Sequence, residues 1–381
     1  MKKHTIVAIV CLIASLAVTL VTGANFVEAR SVPEPIVDPS ATERKMLSDW
    51  FPALKGTAGD TAVYIMRGKE DGGSMLILGG THANEVSGYM SAFVFLENAA
   101  IEQGTVYVIP YSNHSAMTHN DPGEGAPQFF TLHTKSGERT FRYGSRATSP
   151  ADQWPDPDVY VHASSGQQLT GSETRNLNRA FPGKADGTLT EQIAFGITEL
   201  IGAEAIDLTF DLHEASPEYP VINATVAHEN SMNVAAFGII NLLMEGIEMS
   251  LEPSPVNFHG LTHRELGDYT DTLPLLMETA NASQGRLRGA TNAELALTGK
   301  DKCYVLSAEL GMLYVPYDEN GHPVEERVGR HLQGVYEYSK EFSAQHPDSP
   351  IAYGGVPGYA ELFASSDGSD LGGARLGTYL N

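Results

Sequence analysis

An apolar strand that ends in two glycines and leads into a helix is the feature that most constrains how this chain folds. The apolar run covers residues 74–78, and a helical pattern covers 85–98. Further β-prone runs lie at 61–66 and 105–110, on either side of this pair. A helix that joins two strands in this way is typical of a mostly parallel sheet. We therefore expect an α/β fold.

The remaining pattern extends this unit along most of the chain. Helices are predicted at 189–201, 230–245 and 325–342, and strands at 206–212, 273–278 and 304–309. Periodicity is lost between 113 and 172, which we interpret as a long insertion that shapes a substrate cleft. Residues 30–57 are interpreted as a linker with a short helix at 42–50. Residues 346–381, rich in Gly, Ser and Ala from 352 onward, are interpreted as a flexible tail.

The first 29 residues have the features of a signal peptide. Lys2 and Lys3 precede an apolar stretch at 5–21, and small residues permit cleavage after Ala24 or Ala29. We therefore expect an exported protein, periplasmic or secreted. The alternative is an uncleaved membrane anchor, because 17 apolar residues lie at the lower limit for spanning a bilayer.

The charge and the cysteines exclude several kinds of partner and site. The formal net charge of −23 argues against nucleic acid, and against an anionic membrane once the signal segment is removed. An acidic surface that only keeps the protein soluble explains this charge equally well. Cys303 is the only cysteine beyond the signal segment, so neither an intrachain disulfide nor a cysteine zinc site is expected. Any metal ion must be held by histidines and carboxylates.

One set of residues has the donor types and the placement of a metal site. His82 and Glu85 lie in residues 79–85 (GGTHANE), directly after the apolar strand, where open α/β sheets place their sites. Residues three apart at the start of a helix share one face and can bind one ion together. His213 closes another apolar strand, and Asp211 lies two residues earlier on the same face, where it is able to orient a ligand.

Spacing alone does not identify a metal site, because the same His-x-x-Glu spacing recurs at His322 and Glu325. That second pair lies in a polar, turn-like segment with no strand before it, and we interpret it as a solvated loop. Between the first ligands and His213, residues 173–183 (ETRNLNRAFPG) contain Asn178 and Arg179. An amide beside a guanidinium fork has the geometry to bind a substrate carboxylate.

The GGTHANE, NLNRAFPG and DLH segments, in this order, resemble the zinc carboxypeptidase superfamily, in particular its succinylglutamate desuccinylase/aspartoacylase branch. The resemblance covers roughly residues 74–288. It implies a carboxypeptidase-like, three-layer α/β/α fold around a mixed, mostly parallel sheet. It also implies a zinc-activated water, a glutamate general base on a later strand, and an arginine that polarises the scissile carbonyl.

Two glutamates compete for the role of base. Glu278 lies in residues 275–288 (LLMETANASQGRLR), which look like the aspartoacylase catalytic strand, and Glu309 lies in a short Glu-Leu-Gly string found in several family members. We favour Glu278. For the arginine we favour Arg175, which is nearest the Asn-Arg pair, with Arg142 and Arg146 in the insertion as alternatives.

These observations predict an exported zinc hydrolase, with its catalytic domain at 58–345, that cleaves an amide bond of a carboxylate-bearing substrate. His82, Glu85 and His213 are the predicted zinc ligands. An N-acyl amino acid deacylase is the first reading. A zinc carboxypeptidase acting on peptides or cell-wall peptides is the second, and a non-catalytic metal- or ligand-binding module is the third. No Gly-x-Ser-x-Gly, phosphate-loop or His-Glu-x-x-His motif favours another class.

Overall fold

The structure is a computed structural model that describes residues 3–31, 36, 39–120, 126–364 and 368–381. Part of the predicted insertion, residues 121–125, lies outside the described residues. The chain divides into two compact units, Met1–Glu34 and Pro35–Asn381. The first contains one exposed helix, α1 (Lys3–Arg30), which is long and apolar enough to cross a membrane. The predicted signal peptide coincides with this helix.

The second unit alternates strands and helices. In the described residues its strands are β1 (Glu43–Met46), β2 (Ala62–Arg67), β3 (Glu70–Leu78), β4 (Ala100–Ile109), β5 (Phe129–Thr134), β6 (Gly137–Arg142), β7 (Val159–Val161), β8 (Gln168–Thr170), β9 (Leu208–Ala215), β10 (Ala224–Ala227), β11 (Ser250–Pro253), β12 (Leu273–Ala280) and β13 (Ala352–Gly354). Its helices are α2 (Val86–Asn98), α3 (Leu189–Glu204), α4 (Met232–Met244), α5 (Thr262–Tyr269), α6 (Ala293–Thr298), α7 (Lys302–Glu309), α8 (Val324–Gln345) and α9 (Ala374–Gly377).

Nine strands form one mixed sheet in the order β1-β2-β4-β3-β9-β12-β10-β11, with β13 added beside β4. The four central strands, β4, β3, β9 and β12, run parallel to one another. Antiparallel pairs flank them on both sides. The carboxyl ends of β3 and β9 therefore meet at one edge of the sheet, which brings the segments that follow them together.

Helices cover both faces of this sheet. On one face, α8 packs so closely that a Cβ on its Gly334 would overlap the side chain of Met277 in β12. On the other face, Leu76 and Leu78 of β3 share an apolar core with Ile193 of α3 and with Leu266 of α5. The predicted three-layer α/β/α class is confirmed.

One close approach positions the site. Gly88, in the first turn of α2, lies against the backbone of β9, and a Cβ there would overlap the carbonyl oxygen of Leu212. Because α2 begins directly after Glu85, this contact holds the 79–85 loop beside the end of β9. A larger residue at Gly88 would push the two apart.

Several local predictions were wrong. Residues 304–309 form helix α7 rather than a strand, because the side chain of Asp301 accepts hydrogen bonds from the first backbone N–H groups and caps the helix. The predicted helix at 42–50 is instead strand β1, paired antiparallel with β2, followed by a 3₁₀ turn. The predicted insertion contains two small hairpins, β5-β6 and β7-β8.

The C-terminal segment also differs from the predicted flexible tail. Strand β13 pairs with β4, and Leu376 and Leu380 are fully buried. The buried carboxylate of Glu325 accepts hydrogen bonds from the backbone of Gly372 and Gly373. His322 is also buried, beside Glu326 and the backbone of Pro316, so the solvated-loop interpretation of His322 and Glu325 was wrong. Glu325 instead holds the last part of the chain in place.

Candidate active site

Three buried side chains converge where β3 and β9 end. Nδ1 of His82 lies 2.8 Å from Oε1 of Glu85, and Nδ1 of His213 lies 2.9 Å from Oε2 of the same carboxylate. The two Nδ1 atoms are 3.1 Å apart. The structure thus brings the three predicted ligands together, each offering a donor atom to one point.

The opposite ring nitrogens are held by other residues. Nε2 of His82 lies 2.9 Å from Oδ1 of Asn176, and Nε2 of His213 lies 2.8 Å from Oδ2 of Asp211. Asp211 is fixed in turn by a 2.7 Å hydrogen bond from the hydroxyl of Thr81. A proton kept on each Nε2 leaves the Nδ1 lone pair free, which is how proteins orient histidine ligands for a metal. The donor set therefore fits zinc, with room for an open coordination position.

The sequence predicted that Asp211 lies beside a histidine ligand, and it contacts His213. The contact of Asn176 with His82 was missed. The signal was present, since Asn176 lies two residues before Asn178 in the same short segment. A hydrogen bond of 2.8 Å from its amide nitrogen to Glu173 aims its carbonyl oxygen at His82.

The local electrostatics suit a cation. Burial, followed by the charge of Arg146, lowers the pKa of His82 to about 4, so its imidazole is neutral and able to bind a metal. Burial also opposes a charge on His213, but the carboxylates of Asp211 and Glu85 outweigh it and raise its pKa well above the ordinary value. A group of buried carboxylates that stabilises a proton on His213 would stabilise a metal cation at the same point.

Arg146, rather than Arg175, is the arginine beside this cluster. Its Nη1 donates to Oε1 of Glu85 at 3.0 Å, and its side chain is 45% exposed toward the cavity. Arg175 instead forms an ion pair with Asp156 at 2.7 Å and donates to a backbone carbonyl. Arg142 is bound to the backbone of Met117. The structure therefore does not bring Arg175 or Arg142 to the site.

Backbone pairing explains the position of Arg146. Ala83 of the metal loop donates to the carbonyl of Ser145, and Gly144 donates to the carbonyl of Ala83. A Cβ on Gly144 would overlap that of Ala83. The glycine therefore permits the insertion to lie against the metal loop, with Arg146 as the next side chain beyond the contact.

Glu278 faces the cluster and Glu309 does not. Glu278 pairs in register with His213 on the neighbouring strand. Its Oε2 atom is buried and has no hydrogen-bond partner among the residues that the structure describes. Burial raises its pKa to about 8. Glu309 is exposed at the end of α7 and is not among the residues that line the cavity.

Asn178 and Arg179 line the same cavity, as the sequence led us to expect. Oδ1 of Asn178 accepts hydrogen bonds from the backbone and hydroxyl of Thr262, which leaves its NH₂ group available. The guanidinium of Arg179 stacks 4.8 Å from the centre of the Phe258 ring. Burial lowers the pKa of Arg179, and the nearest carboxylate, that of Glu173, is 3.7 Å away. Both side chains are thus held rigidly at the wall of the cavity.

The cavity beside the cluster has a volume of about 470 Å³. This is within the range of small-molecule sites. It is lined by Glu85 of the ligand cluster, an unpartnered carboxyl group, two guanidinium groups and an amide. Such a set has the groups needed for metal-assisted attack of water on a carbonyl and for binding an anionic end of the substrate.

The chain is similar in part to several solved structures. No family model and no curated protein matches the chain. Among solved structures, it is similar to apo cell shape determinant protein Csd4 from Helicobacter pylori, at 13% identity and a TM-score of 0.45, covering 80% of this chain and 59% of that one. A succinylglutamate desuccinylase/aspartoacylase from Rhodobacter sphaeroides matches at 13% identity and a TM-score of 0.38, covering 78% and 62%. The product-bound ectoine utilization protein from Ruegeria pomeroyi matches at 18% and 0.37, covering 57% and 53%.

The chain spans less than two thirds of the length of each of these proteins. The fold and the site together define an α/β/α protein with a buried His, Glu, His cluster at the carboxyl ends of its central strands, beside a cavity of substrate size.

Proposed function

We propose that this protein is an exported, zinc-dependent hydrolase that cleaves an amide bond in a substrate with a free carboxylate. The observation that carries the proposal is the convergence of His82, Glu85 and His213, with Glu85 lining the same cavity as the unpartnered carboxyl group of Glu278. A purely structural role for Glu278 would give its buried carboxyl oxygen a partner, since buried polar atoms are normally hydrogen-bonded.

Each residue has a distinct role in this mechanism. His82, Glu85 and His213 would hold a zinc ion, which would supply a Lewis acid and lower the pKa of a water molecule. Glu278 takes the proton from the attacking water and delivers it to the leaving amine. Arg146 moves from Glu85 toward the substrate carbonyl and stabilises the negative charge that develops on its oxygen. Asn178 and Arg179 bind the carboxylate and so orient the scissile bond.

Export rests on α1. This helix is apolar along most of its length and begins with a basic residue, as expected of a cleaved signal peptide or of an uncleaved membrane anchor. Zinc binding by histidines and a carboxylate needs no reduced cysteines, so the site tolerates an oxidising compartment.

A small substrate panel tests the proposal. Protein lacking residues 1–29 and loaded with zinc is incubated with N-acetyl and N-succinyl amino acids, and with short peptides whose carboxyl ends are free or amidated. We expect hydrolysis only where a free carboxylate is present. Hydrolysis of the acyl amino acids identifies a deacylase, and hydrolysis of the free-ended peptides identifies a carboxypeptidase. The absence of any hydrolysis by zinc-loaded protein would instead support a binding module.

A further inference from the structure

The far end of the cavity carries a carboxylate that the proposed mechanism does not use. Glu252 on β11 pairs in register with Val226 on β10, which in turn pairs with Leu276 on β12. Residues directly paired across strands point to the same face of a sheet. Leu276 lies two residues before Glu278, so this row shares the face that carries the proposed base. All four side chains line the cavity.

Among the described residues, Glu252 has no ion-pair partner, unlike Glu85 and Glu214, which line the same cavity. Glu214 is paired with Arg327 and accepts a hydrogen bond from Asn281, and Glu85 is paired with Arg146. Among the residues that the structure describes, none donates a side-chain hydrogen bond to the carboxylate of Glu252 or forms an ion pair with it. The residue is part-buried, so water solvates its charge incompletely.

Apolar walls separate this carboxylate from the proposed catalytic groups. Val226 and Leu276 lie between Glu252 and Glu278 in the strand register, and Val221 and Leu261 also line the cavity. Because neighbouring strands are about 4.8 Å apart and residues rise about 3.3 Å along a strand, the Cα atoms of Glu252 and Glu278 are roughly 12 Å apart. A long methylene chain fits between such walls, and a charge at its end is able to reach Glu252.

We propose that the cavity selects substrates whose carboxylate-bearing residue has a long cationic side chain, ending in an ammonium or guanidinium group. This inference rests on the proposed function. Arg179 binds the carboxylate, the methylene groups lie along the apolar walls, and the cation pairs with Glu252. An acidic side chain in the same position would meet an unscreened carboxylate and be rejected.

Matched substrates test this selectivity. Nα-acetyl-L-lysine and Nα-acetyl-L-norleucine have side chains of similar length that differ in the terminal charge. We expect kcat/KM of the wild type to favour the lysine compound by about tenfold or more, the usual size of a charged hydrogen bond. In Glu252→Gln the ratio of the two values should fall to near one. Glu248→Gln, which removes an exposed carboxylate that does not line the cavity, should leave the ratio unchanged.

Failure of the inference is distinguishable from failure of the proposed function. A wild type that hydrolyses both compounds without preference, or a Glu252→Gln variant that keeps the preference, overturns the inference and leaves the function standing. If neither compound is hydrolysed, calorimetric titration with L-lysine and L-norleucine tests whether the cavity binds the cation. Binding of L-lysine that is about tenfold weaker in Glu252→Gln supports the cation subsite, and equal binding by wild type and variant overturns it.

Discussion

Replacing Glu278 by glutamine separates the chemical role of this residue from its cost to folding. Burial raises the pKa of the carboxyl group from 4.5 to about 8. One pKa unit corresponds to about 1.4 kcal/mol, so the ionised carboxylate destabilises the metal-free fold by an amount on the order of 5 kcal/mol. A raised pKa means that this destabilisation is absent below about pH 4.5, grows as the pH rises, and is complete above about pH 8.

Glutamine cannot ionise, and it therefore removes that cost. We expect metal-free Glu278→Gln to melt several degrees above the wild type at pH 9, and at the same temperature at pH 4. Thermal unfolding followed by circular dichroism measures both. Glu309→Gln is the control, because Glu309 is exposed and its replacement should leave the melting temperature unchanged at either pH.

The same variant should lose activity while it gains stability. We expect zinc-loaded Glu278→Gln to lose roughly 10²- to 10⁴-fold in both kcat and kcat/KM, with its zinc content unchanged, because a general base acts mainly in the transition state. In the wild type, kcat/KM should fall as the pH drops below the pKa of the base. Full activity in Glu278→Gln, together with loss of activity in Glu309→Gln, would refute this reasoning.

Three further variants test other parts of the site. Arg179→Lys should lower kcat/KM on a carboxylate-bearing substrate despite keeping the charge, since one ammonium cannot replace a guanidinium fork. Unchanged kinetics would mean that Arg179 lines the cavity without binding the carboxylate. Arg146→Ala should lower kcat by about 10²-fold or more while Arg175→Ala does not, and the reverse ranking would restore the original sequence prediction. Asp211→Asn should weaken zinc binding by about 10- to 100-fold in a chelator competition, and unaltered affinity would mean that Asp211 does not orient His213.

The ligand cluster could be predicted from the sequence because each of its members lies near the end of an apolar strand, where polar residues begin. His82 and Glu85 follow an apolar strand and two glycines, and His213 lies near the end of a later strand that is buried along its whole length. Parallel strands bring such boundaries to one edge of a sheet, so local pattern was enough to place the three residues together.

The arginine beside the cluster, Arg146, could not be predicted from local sequence pattern in the same way. Arg146 reaches the cluster through backbone hydrogen bonds between Ala83 and residues 144–145. Nothing in the composition of the insertion specifies that pairing, and proximity in sequence to Asn178 favoured Arg175. Helix α7 was missed for a related reason, since the capping residue Asp301 lies outside the window in which the apolar pattern looked like a strand.

Zinc content measures the central claim most directly. Wild-type protein lacking residues 1–29, dialysed against zinc and then against metal-free buffer, should retain about one zinc ion per chain by atomic emission. His213→Ala should retain far less, because it removes one of three protein ligands. His133→Ala is the matched control, since that imidazole is 83% exposed and is not a member of the cluster, and the variant should bind zinc like the wild type. Full zinc occupancy in His213→Ala would contradict the three-ligand site and the hydrolytic function built on it.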